Sequence, residues 1–243
     1  MVQAPVSIPE HLRDFYVVTC EHGGNRIPSA YVDLFHGWQV RLSSHHGYDA
    51  GALVMARDLA AALQAPLMVS TVSRLLVDLN RSLSSPQVWS DATRALSPTR
   101  KQAIVSSHYA PYRQRLTEIV VAAVAAGQRV IHVSSHTFTP VLDGQVRNAD
   151  VGLLYDPARP GEVAAAARWK AALTEQSAEL RVRRNYPYRG KNDGLTSAMR
   201  RRFAPGQYVG IEIELNQALI SSRSRSWRNL RRTVVTALES ALR

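Results

Sequence analysis

Short β-branched runs alternate along this chain with longer stretches of helical period, and this alternation limits the fold more than any other feature of the sequence. FYVVTC (residues 15–20), APLMVST (65–71), LLVDL (75–79), RVIHVSS (129–135), DVGLLYD (150–156), LRVRRN (180–185) and YVGIEIEL (208–215) read as strands, each short and all but LRVRRN largely apolar. Between them, AGALVMARDLAAAL, opened by Asp49, carries apolar residues at three- and four-residue spacing, the mark of a helix with one buried face. A second helical region begins at Ser97, where SPTR pairs a Ser cap with Pro at the first helical position. It runs to Gly127, with a break expected at Pro111. GEVAAAARWKAAL and the basic tail complete the helices. Strands alternating with helices predict an α/β fold, a mainly parallel twisted sheet with helices on both faces. No repeat, low-complexity tract or linker interrupts the pattern, so residues 1–243 read as a single domain. Ligands of such sheets bind beyond the carboxyl ends of the strands, so candidate site residues must follow strands.

Several polar groups meet that condition. Glu21 and His22 follow the first strand, Asp78, Asn80 and Arg81 end LLVDL, His136 follows RVIHVSS, and Glu214 ends YVGIEIEL. Asp49 stands where the first helix starts, at the positive end of its dipole. Two histidines, carboxylates and an arginine at one sheet edge are the inventory of a catalytic zinc site, with three protein ligands and an open position for water. His22, Asp49 and His136 are the candidate ligands. Such a site needs a further carboxylate to take a proton from water and pass it to a leaving amine, the role assigned to Glu214. It also needs a planar fork to hold a substrate carboxylate, the role assigned to Arg81. Each residue also has a structural reading. Asp49 fits an N-cap, and Asp78 with Arg81 fits an internal salt bridge. Side chains alternate along a strand, so Glu212 and Glu214 share a face and pattern alone does not choose between them. His11 and His36 read as surface residues, His108 and His132 as packing, His45 and His46 as structural residues rather than as groups behind the ligands, and Cys20 as a small buried apolar residue.

Charge and composition exclude some classes. The apolar fraction of 45% and charged fraction of 20% are those of an ordinary soluble globular protein. No apolar run reaches the roughly 18 to 20 residues of a membrane span. The start, MVQAPVSIPEHLRDF, lacks the basic and apolar regions of a secretory signal, and a lone cysteine fits a reducing compartment, so the expected location is cytoplasmic. The net charge of +11 lies largely in Arg181–Arg184 and in the tail from Arg223 to Arg232. The tail reads as an amphipathic helix with a solvated basic side. No nucleic-acid-binding module accompanies the charge, so the expected partner is a small anionic substrate, with neither nucleic acid nor membrane.

VTCEHGGNRIP, GYDAGALVMARDLA, STVSRLLVDLNRS, SSHTFTPVLDG, VGLLYD, NYPYRGKNDGLT and YVGIEIELNQALI occur in this order. Together they resemble the N-formylglutamate amidohydrolase family from about Phe15 to Ile220. The resemblance implies a phosphorylase/hydrolase-like α/β fold and zinc-dependent hydrolysis of an N-acyl, above all N-formyl, amide of an acidic amino acid. It implies His22 and His136 as zinc histidines and Asp49 as the carboxylate ligand. Asn25, three residues after His22, stands where related carboxypeptidases carry a glutamate. It further implies Asn80 and Arg81 as contacts to the substrate carboxylate and Arg189, in NYPYRGKNDG, as a second one. Glu214 is favoured as general base, with Glu212 as the fallback. Two other readings stay open: a zinc amidase acting on peptide or cell-wall fragments, and a non-catalytic binding protein with a basic surface.

Overall fold

The run at residues 15–20 does form the first strand and lies second from one edge of a six-stranded sheet in the structure, a computed structural model that describes residues 14–220 and 225–242. The reading of the chain's start as lacking a signal, His11, and Arg223 of the basic tail lie outside the described residues. The strands are β1 (Asp14–Cys20), β2 (Leu67–Val69), β3 (Arg129–Phe138), β4 (Val141–Leu142), β5 (Gln145–Val146), β6 (Val151–Leu154), β7 (Val182–Arg184) and β8 (Tyr208–Asn216). The helices are α1 (Gln39–Leu42), α2 (Ala52–Leu63), α3 (Pro98–Ile104), α4 (Ala110–Ala125), α5 (Pro160–Gln176), α6 (Leu195–Arg202) and α7 (Arg225–Leu242). The main sheet has the order β2-β1-β3-β8-β6-β7, and β4 with β5 forms a separate hairpin. Neighbours in the main sheet are parallel except β6, which runs antiparallel to β8.

Strand alternation divides the core. Val18, Cys20, Val133, Ile211 and Ile213 face α2, α5 and α7, where Met55, Leu59, Trp169, Leu173 and Val234 are buried. Val17, Val130 and Tyr208 face the other way, onto Leu116 and Val120 of α4 and Leu195 and Met199 of α6. The second direction is also the face of Thr19, Glu21, His132, Ser134, His136, Glu212 and Glu214, since each lies an even number of positions from a residue of that face. A column of polar side chains therefore climbs one side of three adjacent strands toward their carboxyl ends.

Two predicted elements differ. LLVDL is not a strand; residues 75–79 form turns, and Leu75, Leu76, Val77 and Leu79 pack with Phe35, Val88, Ile104 and Tyr109 in a third apolar cluster. A short apolar run between turns carries the same pattern whether it is a strand or a buried loop. Asp49 does not open α2, which begins at Ala52 after Gly51 at φ 83°, a left-handed conformation that suits glycine. The Ser97 cap is as expected, its side chain accepting from the Arg100 amide at 3.3 Å. The break falls at a π-helical turn over Val105–Tyr109, just before Pro111, whose missing N–H cannot continue the ladder. The tail is amphipathic, burying Trp227, Leu230, Val234, Leu238 and Ala241. Among the described residues, no helix is long and apolar enough to cross a membrane.

Candidate metal centre

The carboxyl ends of β1, β3 and β8 converge on a cleft lined by His22, Asp49, Asn80, Arg81, His136, Arg189, Glu212 and Glu214. All eight residues expected at the site from sequence are thus brought together. His22 sits in the turn after β1. His136 lies inside β3, which continues to Phe138 rather than ending before it. Asp49 is tied to the first turn by its backbone N–H, which donates to the His22 carbonyl at 2.9 Å.

His22, Asp49 and His136 are buried, and one ligand atom from each lies within 4.8 Å of the others. Asp49 Oδ2 is 2.9 Å from His136 Nδ1 and 3.4 Å from His22 Nδ1. The opposite ring nitrogens face carboxylates. His22 Nε2 lies 2.7 Å from Asp78 Oδ1, and His136 Nε2 lies 3.0 Å from Glu21 Oε2. With a metal bound, Nε2–H donation to these outer carboxylates would leave each Nδ1 lone pair free for the ion on the side of Asp49, the orientation that outer carboxylates impose on metal-binding histidines. The donor set, two imidazoles and one carboxylate with anionic partners behind, fits a divalent metal of the zinc kind.

The electrostatics agree. Burial alone would raise the Asp49 carboxyl, but His22, His136 and Arg74 outweigh it and hold the group well below the ordinary carboxylate range. Burial likewise opposes a charge on His136, yet Asp49 and Glu21 raise it well above its usual value. Buried anions have gathered around this point, and the field there favours positive charge. Arg74 balances part of it, donating to Asp49 Oδ1 at 3.2 Å and to Asp78 Oδ2 at 2.8 Å.

Glu214 stands beside His136, with which it is in register across β3 and β8. It is buried, and its Oε2 finds no hydrogen-bond partner among the described residues. Burial, reinforced by Asp49 and Glu212 against the opposing pull of His136 and Arg74, pushes its carboxyl up to about 8. A carboxyl of that kind, unpartnered and aimed at a cleft, is suited to moving protons near neutral pH. Glu212, two residues earlier, instead accepts a hydrogen bond from the Thr196 hydroxyl. Opposite Glu214 in the β6–β8 register is Gly152, where a Cβ would come within 2.0 Å of the Tyr186 carbonyl oxygen; only glycine lets the following loop pass so close.

That loop closes the cleft. Asn185 Oδ1 accepts from the backbone N–H groups of Tyr155 and Gly190. Arg200 donates to the Gly190 carbonyl while pairing with buried Glu162 at 2.9 Å. Arg81 donates to the Asp193 carbonyl at 2.8 Å, and Asn80 Oδ1 accepts from the Leu195 N–H at 2.6 Å. Arg189 is exposed at the rim.

Some roles were missed from sequence. Asp78 does not pair with Arg81; it is held by Arg74 and carries His22. Glu21, adjacent to His22 in sequence, serves His136 across the sheet and also accepts from Ser134 Oγ at 2.6 Å and from the Tyr112 hydroxyl. Arg74 was not anticipated, though its four-residue spacing from Asp78 was a usable signal. Asn25 donates to the Leu42 carbonyl and is exposed. His132 packs between Thr19 Oγ1 and the Tyr208 hydroxyl, where burial lowers it to about 4. His108 packs edge-on against Tyr31, His36 is exposed and Cys20 is fully buried.

A mostly parallel α/β sheet with a buried His/Asp/His cluster at its strand ends defines a hydrolase-like protein with a candidate metal centre. The sequence profile of N-formylglutamate amidohydrolase matches residues 15–221, and the chain belongs to that family. Among solved structures it is similar to the gene product Atu2144 from Agrobacterium tumefaciens, with 30% identity over 96% of this chain and 93% of that one and a TM-score of 0.77. It is also similar in fold to the N-formylglutamate amidohydrolase from Ralstonia eutropha JMP134, with 20% identity over 97% and 95% of the two chains and a TM-score of 0.69. No curated protein matches the chain.

Proposed function

We propose that this protein is a zinc-dependent amidohydrolase that cleaves the N-acyl amide of a small acidic amino acid, with N-formyl-L-glutamate the first substrate to try. The observation that carries this reading is the convergence of His22 Nδ1, His136 Nδ1 and Asp49 Oδ2, each imidazole backed by its own carboxylate. His22, Asp49 and His136 would hold the metal. A bound zinc supplies Lewis acidity, polarising a carbonyl and making water a stronger acid.

The chain's own groups do the rest. Glu214 takes a proton from the attacking water as its oxygen bonds to the acyl carbon. It returns that proton to the nitrogen as the C–N bond breaks, so an acid and a free amine leave. Asn80, Arg81 and Arg189 line the cleft and orient the substrate carboxylates, guanidinium forks being matched to them. A small anionic substrate also suits the net charge of +11. The test is elemental analysis of the purified protein beside His22→Ala and His136→Ala, followed by a screen of N-acyl amino acids. About one zinc per chain, lost in both variants, with release of glutamate from N-formylglutamate, supports the reading. A chain without stoichiometric metal after growth in added zinc overturns it.

A further inference from the structure

A second groove opens beside the metal cleft and shares its wall, for Arg74, Arg81 and Tyr188 line both. Beyond that wall it is bordered by Arg41, His45, His46, Trp89 and Arg94. Its acids are already engaged. Asp78 accepts from His22 and Arg74. Asp91 is one carboxylate between two guanidiniums, 3.4 Å from Arg41 and 3.1 Å from Arg94. Both arginine side chains are about half exposed, at 47% and 61%, so the far end of the groove keeps a net positive charge open to solvent.

The histidines add a second observation. His45 and His46 stack with ring centroids 4.1 Å apart. His45 Nε2 is sheltered from solvent yet has no hydrogen-bond partner among the described residues. Sheltered polar atoms are nearly always satisfied, so an unsatisfied one on a groove wall marks a place for a ligand atom. Burial first, and then His46, Arg147 and Arg74 against the pull of Asp49, hold the His45 imidazole below its ordinary range.

An N-formyl amino acid has nothing to put there. Its acyl group is a single carbon, and its carboxylates are taken up by groups of the metal cleft. We propose that the substrate is longer and carries a further carboxylate, which passes the wall of Arg74, Arg81 and Tyr188 and binds at Arg41, Arg94 and His45. This rests on the hydrolase reading above and specifies its substrate class: an N-acyl amino acid with an added acidic group. That group sits either at the far end of the acyl chain or on an acidic residue joined to the amino acid.

The experiment uses three probes: N-formylglutamate, N-glutarylglutamate with its added acid on the acyl side, and N-formylglutamylglutamate with its added acid on the amine side. Hydrolysis is followed by initial rates in the wild type and in Arg41→Ala/Arg94→Ala. Binding is followed by calorimetry in the same pair carrying Glu214→Gln, so that the probes persist. At least one extended probe binds tenfold or more tightly than N-formylglutamate, and its identity tells which side of the amide faces the groove. The double variant raises KM for that probe about tenfold with kcat held, and leaves N-formylglutamate within twofold. Arg41→Lys/Arg94→Lys restores part of the loss. Equal binding of all three probes, or an equal loss for all three in the variant, overturns the proposal. Hydrolysis of N-formylglutamate with no gain for the longer probes removes the groove alone. Tight binding that depends on Arg41 and Arg94 without hydrolysis removes the hydrolase reading and keeps the groove.

Discussion

Replacing Asp78 by asparagine tests whether the outer carboxylates set the strength of the metal centre. Asp78 Oδ1 receives His22 Nε2 at 2.7 Å and the Asn80 backbone N–H at 2.9 Å. Its Oδ2 receives Arg74 through Nε at 3.2 Å and a terminal nitrogen at 2.8 Å. Asparagine keeps one oxygen for His22 but turns an N–H₂ group toward a guanidinium that can only donate. It also removes the charge that makes the imidazole a stronger ligand. Loss of such a partner costs about 10 to 100-fold in metal affinity, roughly 1.4 to 2.8 kcal/mol. The fold loses something as well. Breaking a buried pair costs about 3 to 5 kcal/mol, but Arg74 is 25% exposed and keeps Asp49, so the loss falls at or below the lower end. Competition with a chelator of known zinc affinity reads the first quantity, and urea unfolding of the chelator-treated protein reads the second. A folded Asp78→Asn protein that binds zinc within twofold of wild type would refute the reasoning, since His22 would then owe nothing to the carboxylate behind it.

Glu214→Gln lowers kcat by about 10² to 10⁴-fold while leaving zinc content unchanged, as checked by steady-state rates beside elemental analysis; retained activity moves the proton-transfer role to Glu212. In the metal-free protein, the raised Glu214 carboxyl, at about 8, makes the protonated form the one that folding favours. The stability it contributes is complete below the ordinary carboxylate range and is lost as pH rises toward 8, so urea midpoints fall more steeply between pH 5 and 8 in wild type than in Glu214→Gln. Equal slopes would show that the carboxyl is not raised. Gly152→Ala forces a methyl onto the Tyr186 carbonyl and costs about 1 to 3 kcal/mol in urea unfolding, with KM rising as the loop is displaced; a neutral effect would mean the loop does not pass that close.

The alternation of strand-like and helix-like segments carried the fold, because the sheet strands and the helices α2, α4, α5 and α7 were long or apolar enough to state their own period. Strand ends located His22, His136 and Glu214. The residues behind them were harder to read. Glu21 immediately precedes His22 in sequence but faces His136, and only the lateral pairing of β1 with β3 brings those two together. Arg74 and Asp78 sit in a turn whose apolar neighbours imitate a strand, since their burial comes from the cluster around Phe35 rather than from the sheet. Helix α6 escaped notice because its buried face is partly polar, with Thr196, Ser197 and Arg200 alongside Leu195 and Met199. The antiparallel course of β6 leaves no trace in a single strand's composition.

The bonds at Asn185, Gly190 and Asp193 have a consequence for how this protein can change. They clamp the base of the rim loop onto α6 and the turn after Asp78, through main-chain atoms or fixed polar contacts. Tyr188, Arg189 and Lys191 between them are exposed and contribute little to the clamp. A new preference could arise by exchanging those projecting side chains alone, with the hydrolytic apparatus untouched and the loop's course unaltered. The molecule separates the groups that hold the loop's course from the side chains that project from it, and both lie within one short stretch of chain.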